Sequence, residues 1–223
     1  MNEIDLLKKH IRPERAEKIE AVLCARTRDV TVVLDRLNKP HNFMAILRTC
    51  DAFGIQDAHI VLQPGQPGDH ISDPITQGAH KWLTINISYD WRERFQNLKN
   101  QGYKLYASGL SESAAPLESL DLKGRVALVF GNELEGLAKE QIAFCDGLFM
   151  LPMLGFAQSF NVSVAAALSL QKLFSLREAR GIPKAPLDEV EREALRREWL
   201  IKALHNAELI LREYHRRDGS ETR

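Results

Sequence analysis

The stretch TVVLDRLNKPHNFMAILRTCDAFGIQDAHIVLQ, residues 31–63, decides the fold. TVVLD (31–35) and HIVLQ (59–63) are short, β-branched, apolar runs of the kind buried on both faces of a sheet. Between them Phe43, Ile46, Leu47 and Cys50 recur at helical spacing, which predicts a helix over Asn42 to Phe53. Pro40 disfavours helical backbone at Lys39, and Asn42 is placed to cap the helix. Arg48 falls off the apolar stripe. Strand, helix, strand in this order is the unit from which parallel sheets are built.

Working outward, the alternation continues through LTINI (83–87), KLYAS (104–108), RVALVF (125–130) and GLFML (147–151), giving six expected strands. Helical patterns run over Asp90 to Lys99 and from about Phe160 to Arg180, where Gly181 and Pro183 stop the helix. The expectation is an α/β fold, a mostly parallel sheet with helices on both faces.

The 223 residues, 44% hydrophobic and 27% charged, are enough for a continuous core and too apolar for long disorder. Thirty basic and thirty acidic residues leave a formal net charge of 0, so any surface for nucleic acid must be local. Cys24, Cys50 and Cys145 are widely spaced with no C-x-x-C pair, which speaks against a disulfide framework and points to a reducing cytoplasm. The amino terminus, MNEIDLLKKHIRPER, is charged throughout, unlike a signal peptide. Residues 147–171 carry no charge, but Pro152, Gly155, Gln158, Ser159, Asn161 and Ser163 interrupt them. They read as core strand, loop and buried helix, with no membrane span.

No glycine-rich phosphate cradle, H-E-x-x-H or G-x-S-x-G is present, and the seven histidines are scattered, so no metal is expected. Three segments at expected strand ends stand out: KPHNFMAILRTCDAFG (39–54), VFGNELEGL (129–137) and LPMLGFAQSFNVSVAAA (151–167). In this order and spacing they closely resemble the three motifs of the SpoU branch of SPOUT RNA 2′-O-ribose methyltransferases.

The resemblance covers about residues 30 to 180. It implies a trefoil-knotted α/β domain that binds S-adenosylmethionine, and a homodimer with each active site at the subunit interface. Helical extensions flank this core, so the expected division is a helical extension over 1–29, the SPOUT domain over 30–181 and a second helical extension over 182–223. The arrangement is nearest to enzymes similar to the tRNA guanosine-18 ribose methyltransferases, which share both extensions. tRNA is therefore the expected partner.

Residue by residue, the resemblance assigns Arg48 as the catalytic arginine, Asn42 as the residue that helps place it, and Glu133 as the supporting carboxylate. Ser159 and Asn161 match the polar pair that faces the substrate ribose and phosphate. On their own terms Asn42, Ser159 and Asn161 are also good helix caps, and Arg48 is also a plausible solvated residue. For S-adenosylmethionine the resemblance implies contacts from Ser108, Gly109, Gly131, Leu151, Met153 and Phe160. Phe160 stands where relatives usually have Leu, and Leu134 where they often have Lys.

The extensions carry basic clusters, Lys8 to Arg28 at one end and Arg212, His215, Arg216 and Arg217 at the other. Arg12, Arg15 and Arg26 are the first choices for phosphate contact. In the carboxy-terminal extension Leu200, Ala203, Leu204, Ala207, Ile210, Leu211 and Tyr214 form one apolar stripe. The competing readings are the same chemistry on rRNA or another tRNA position, a non-catalytic RNA-binding protein on the same scaffold, and a generic flavodoxin-like nucleotide-binding domain.

Overall fold

The computed structural model describes residues 2–63 and 78–218. The chain divides into two compact units, Thr27–Ala185 and the paired termini Met1–Arg26 with Pro186–Arg223.

The larger unit is built on a seven-stranded sheet whose described pairings are all parallel. Its strands are β1 (Val30–Asp35), β2 (Asp57–Val61), β3 (Thr84–Ser88), β4 (Tyr103–Ser108), β5 (Ala115–Pro116), β6 (Arg125–Phe130) and β7 (Gly147–Met150), in spatial order 3-2-1-6-4-7-5. The α/β class expected from the sequence holds. The strand that sequence reading missed is β5, a two-residue edge ladder pairing Ala115 with Phe149 and Pro116 with Met150. It has no apolar run to announce it, and its proline is tolerated because the strand lies at an edge.

Every residue of β1 is buried, and the pleat sends alternate side chains to opposite layers. Val32 and Leu34, with Val126, Leu128 and Phe130 of β6, face one apolar cluster. Its cover is α3 (Pro40–Ala52) through Phe43, Ile46 and Leu47, and α6 (Val162–Ala179) through Ala166, Leu170 and Leu173. Val33, with Ala127 and Val129, faces the other cluster, covered by α4 (Trp91–Asn100) through Phe95 and Leu98 and by α5 (Lys139–Phe144). Each such fully buried large side chain contributes about 2 kcal/mol.

Helix α3 starts two residues earlier than the sequence predicts. Pro40 occupies its first turn, and Lys39 is the cap residue without a side-chain bond. Asn42 is therefore not the cap; it lies inside the helix and is buried. Helix α6 ends as expected: Gly181 has φ +64°, and the amides of Gly181 and Ile182 donate to the Glu178 and Arg177 carbonyls, closing the helix with a glycine in the left-handed region.

The smaller unit comprises α1 (Glu3–Lys9), α2 (Pro13–Ala25), α7 (Glu189–Ala203) and α8 (Ala207–Asp218). The expected single stripe is split between α7 and α8 by a break at Leu204–Asn206, with Leu200 and Ala207 buried on either side. Charged pairs tie the helices together: Glu20 to Lys8 and Arg196 at 2.8 Å each, and Glu3 to Arg197 at 2.5 Å and His215 at 2.8 Å. Among the described residues no helix is long and apolar enough to cross a membrane.

Candidate active site

Ligands of open parallel sheets bind beyond the carboxyl ends of the strands. Here a cleft of about 520 Å³ opens beyond β4, β6 and β7, which are neighbours in the sheet. Its size is that of a small-molecule site. Ser108 and Gly109 line it after β4, Gly131 after β6, and Leu151 and Met153 after β7, with Phe160 from the segment leading into α6. All six residues matched to cofactor contact thus share one wall system.

Gly131 is required sterically. A Cβ there would sit 2.5 Å from both the Gly136 carbonyl oxygen and the Leu137 nitrogen, so the chain folds back on itself with no room for a side chain. That fold-back is held by Asn132, whose Oδ1 accepts from the Leu134 and Glu135 amides at 2.9 and 2.7 Å, and it closes at Gly136 with φ +68°. The turn presents Glu133 to the cleft.

Glu133 is the hub of the polar groups. Its Oε1 accepts from Asn42 Nδ2 at 2.5 Å, and its Oε2 from the Asn38 backbone amide at 3.1 Å. Asn161 Nδ2 donates in turn to Asn42 Oδ1 at 3.2 Å. Asn161 also caps α6, its Oδ1 accepting from the Ser163 amide at 2.9 Å. Burial alone would raise the Glu133 carboxyl, but the Asn38 amide, the Asn42 side chain and the amides of Glu133 and Lys39 outweigh it and hold the group below the usual carboxylate range. Glu133 is an anion at neutral pH.

Glu133, Asn42 and Asn161 therefore form one connected chain, and Ser159 lines the same cleft. Arg48 is not brought to it. It lies exposed on α3, six residues beyond Asn42, which amounts to about 9 Å along the axis and about 240° around it. Among the described residues it has no hydrogen bond or ion pair, and Asn42 turns to Glu133 rather than to it.

Of the basic residues, Arg12 and Arg15 are exposed. Arg26 is a correction: it is fully buried, with its guanidinium 5.2 Å from the Trp199 ring centre, so it packs inside the terminal unit and cannot reach a phosphate. The side chain of Arg217 lies outside the described residues. Sequence reading passed over Lys39 and Asn132, which both line the cleft. The signal for Asn132 was present, an asparagine opening a tight turn that ends in glycine. Among the described residues no group of three or more metal-ligating side chains occurs.

Comparison with known proteins agrees with this geometry. The chain is 40% identical over 189 residues to the tRNA (guanosine(18)-2′-O)-methyltransferase of Thermus thermophilus, covering 84% of this chain and 96% of the relative. It superposes with a TM-score of 0.77 and 33% identity on the TrmH/SpoU tRNA modifying enzyme of Aquifex aeolicus, covering 86% and 97% of the two chains. The fold is also that of the SpoU methyltransferase AviRb from Streptomyces viridochromogenes in complex with AdoMet, at TM-score 0.58 and 20% identity over 73% of this chain and 62% of the other. Residues 29–171, which contain the whole cleft and the Glu133–Asn42–Asn161 chain, match the model of one family, and the protein is a member of it: the SpoU rRNA Methylase family.

Proposed function

We propose that this chain transfers the methyl group of S-adenosylmethionine to a ribose 2′-OH of tRNA, with guanosine 18 of the D-loop as the target, acting in the cytoplasm as a homodimer. The observation that carries the reading is the cleft beyond β4, β6 and β7 with the Glu133–Asn42–Asn161 chain at its side. The names of the Thermus and Aquifex relatives, and the near-complete coverage of both, support tRNA as the substrate.

The cleft suits S-adenosylmethionine. Its volume is right, and Ser108, Gly109 and Gly131 line it together with apolar Leu151 and Met153. When bound, the cofactor supplies an electrophilic sulfonium methyl, and the family's trefoil-knotted path is the proposed route of the chain around it. The ribose hydroxyl must meet that methyl in line, with water kept out. In this reading Ser159 and Asn161 orient the ribose and its phosphate, and Glu133 holds Asn42, which in turn accepts from Asn161.

Arg48 acts from the second subunit in this reading, because within one chain it stands away from the cleft. A guanidinium stays protonated, so its role is to bind an RNA phosphate and stabilise the forming alkoxide rather than to accept the proton. The homodimer is supported by exposed apolar residues around the cleft: Leu134, Leu154 and Phe156 are almost wholly exposed, and Phe160, Val164 and Leu168 make a stripe at four-residue spacing. Arg12 and Arg15 are the proposed phosphate contacts of the terminal unit.

The test is methylation of tRNA and rRNA transcripts by the purified protein with labelled S-adenosylmethionine, followed by mapping of the modified nucleotide. Label at the 2′-oxygen of guanosine 18 is the expected result. Label on rRNA alone, the substrate in the family's own description, would replace the tRNA assignment. No transfer to either RNA, with no cofactor binding, would overturn the enzyme reading.

A further inference from the structure

The loop joining β1 to α3 contains a left-handed residue that is not glycine. Arg36 has φ +50°, the only positive φ at a non-glycine among the described residues. A residue with a Cβ pays for that conformation, and it persists only where surrounding contacts enforce it. Those contacts are visible. The Arg36 amide donates to the Val61 carbonyl at the end of β2 at 2.8 Å, and its Nε donates to Asp35 Oδ2 at 2.8 Å. Asp35 is fully buried, so this guanidinium is the cation that neutralises it. Arg36 Nη2 reaches Gln141 Oε1 at 3.5 Å, a long contact, while the same oxygen accepts from the Ala138 amide at 2.8 Å at the start of α5.

Arg36 thereby contacts both loops that meet at Glu133. The one after Arg36 delivers the Asn38 amide to Glu133 Oε2 and leads directly to Asn42. The other carries Glu133 and runs into Gln141. We infer that Arg36, anchored on Asp35 and seated against Gln141, is a positioning residue that holds the Asn38 and Asn42 donors on the Glu133 carboxylate. The inference rests on the proposed methyltransferase reading only for its catalytic consequence; the positioning of Glu133 stands on geometry alone. The depressed Glu133 carboxyl agrees with it. The other charged side chains lining this cleft are Lys39 and Glu135.

The experiment follows the Glu133 carboxyl by NMR titration of protein carrying labelled glutamate, with Glu133→Gln used to assign the resonance. Glycine accepts φ +50° freely, so Arg36→Gly removes the anchor and leaves the turn possible. Pairing it with Asp35→Asn avoids a buried unpaired carboxylate and protects the fold. In the double variant the Glu133 midpoint should rise by about one pH unit as its donors loosen. Methyl transfer in a single turnover should fall about tenfold while cofactor affinity is retained. Arg36→Lys, which keeps the ion pair, should restore most of the midpoint. An unchanged Glu133 midpoint in a double variant that still binds cofactor would overturn the inference. If neither wild type nor variant transfers methyl, the functional reading fails while the titration still decides the role of Arg36.

Discussion

Asn42 and Glu133, 91 residues apart in the chain, meet at 2.5 Å between the asparagine Nδ2 and the carboxylate Oε1, and this bond joins the loop after β6 to the first turns of α3. Asn42 is buried, so Asn42→Ala leaves both Glu133 Oε1 and Asn161 Nδ2 without their partner. The expected cost is about 1–3 kcal/mol in urea denaturation, with a larger loss of methyl transfer than of cofactor binding. An activity loss no greater than the binding loss would place Asn42 outside the reaction.

Gly131→Ala should weaken cofactor binding without abolishing the sheet. The added methyl meets the backbone of Gly136 and Leu137, which cannot rotate away as a side chain would. Calorimetry should show at least a tenfold weaker affinity, and thermal melts a destabilisation of about 1–3 kcal/mol. Wild-type affinity would mean that the turn does not shape the site.

Arg48→Ala should lower turnover by about a thousandfold and leave cofactor affinity nearly unchanged, since the residue serves the ribose-phosphate side. Arg48→Lys should fail as well, because a point charge does not reproduce the planar fork. Mixing Arg48→Ala subunits with Glu133→Gln subunits offers a check on the dimer: restored activity is expected where intact residues meet across subunits, and its absence would argue that each site is built from one chain.

His59 sits in the middle of β2, where burial first and the nearby Arg94 second push its imidazole down to about 3. The unfolded chain takes up that proton near 6.5 while the folded chain stays neutral. Its contribution to stability is thus complete above about pH 6.5 and is lost as the pH falls toward 3, at about 1.4 kcal/mol per unit. His59→Phe should flatten denaturation midpoints measured between pH 7 and 4. An identical slope in the variant would assign the acid sensitivity to other groups.

Replacing Arg12 and Arg15 together by Ala should weaken tRNA binding and reduce the log-log salt slope by about 0.7–0.9 for each phosphate that the protein no longer neutralises. Arg26→Ala should act differently, lowering the melting temperature through loss of its packing on Trp199 with no direct effect on the slope. An unchanged slope in the double variant would make Arg12 and Arg15 ordinary solvated residues.

Much of the larger unit was legible because a strand buried on both faces must be apolar at consecutive positions, and β1 over Val32–Leu34 and β6 over Val126–Phe130 are. The stop of α6 at Gly181 was readable for an equally local reason, the φ that glycine alone adopts cheaply. Most of the cleft residues lay in three short segments, with Ser108 and Gly109 added by the end of β4. Their mutual bonds did not: cap preference placed Asn42 at a helix start, whereas its side chain is claimed by Glu133 from another loop.

The sequence by itself determined six of the seven strands, the longer helices and the residue types at the strand ends, because backbone preference and hydrophobic period act over a few neighbouring residues. Only the tertiary structure decided that Asn42 serves Glu133 instead of capping α3, that Arg26 is packed beneath Trp199 instead of facing solvent, and that the two chain ends form one unit. A buried polar group must be satisfied by whatever partner the fold carries to it, and that partner is set by the packing of distant segments rather than by the spacing of near ones.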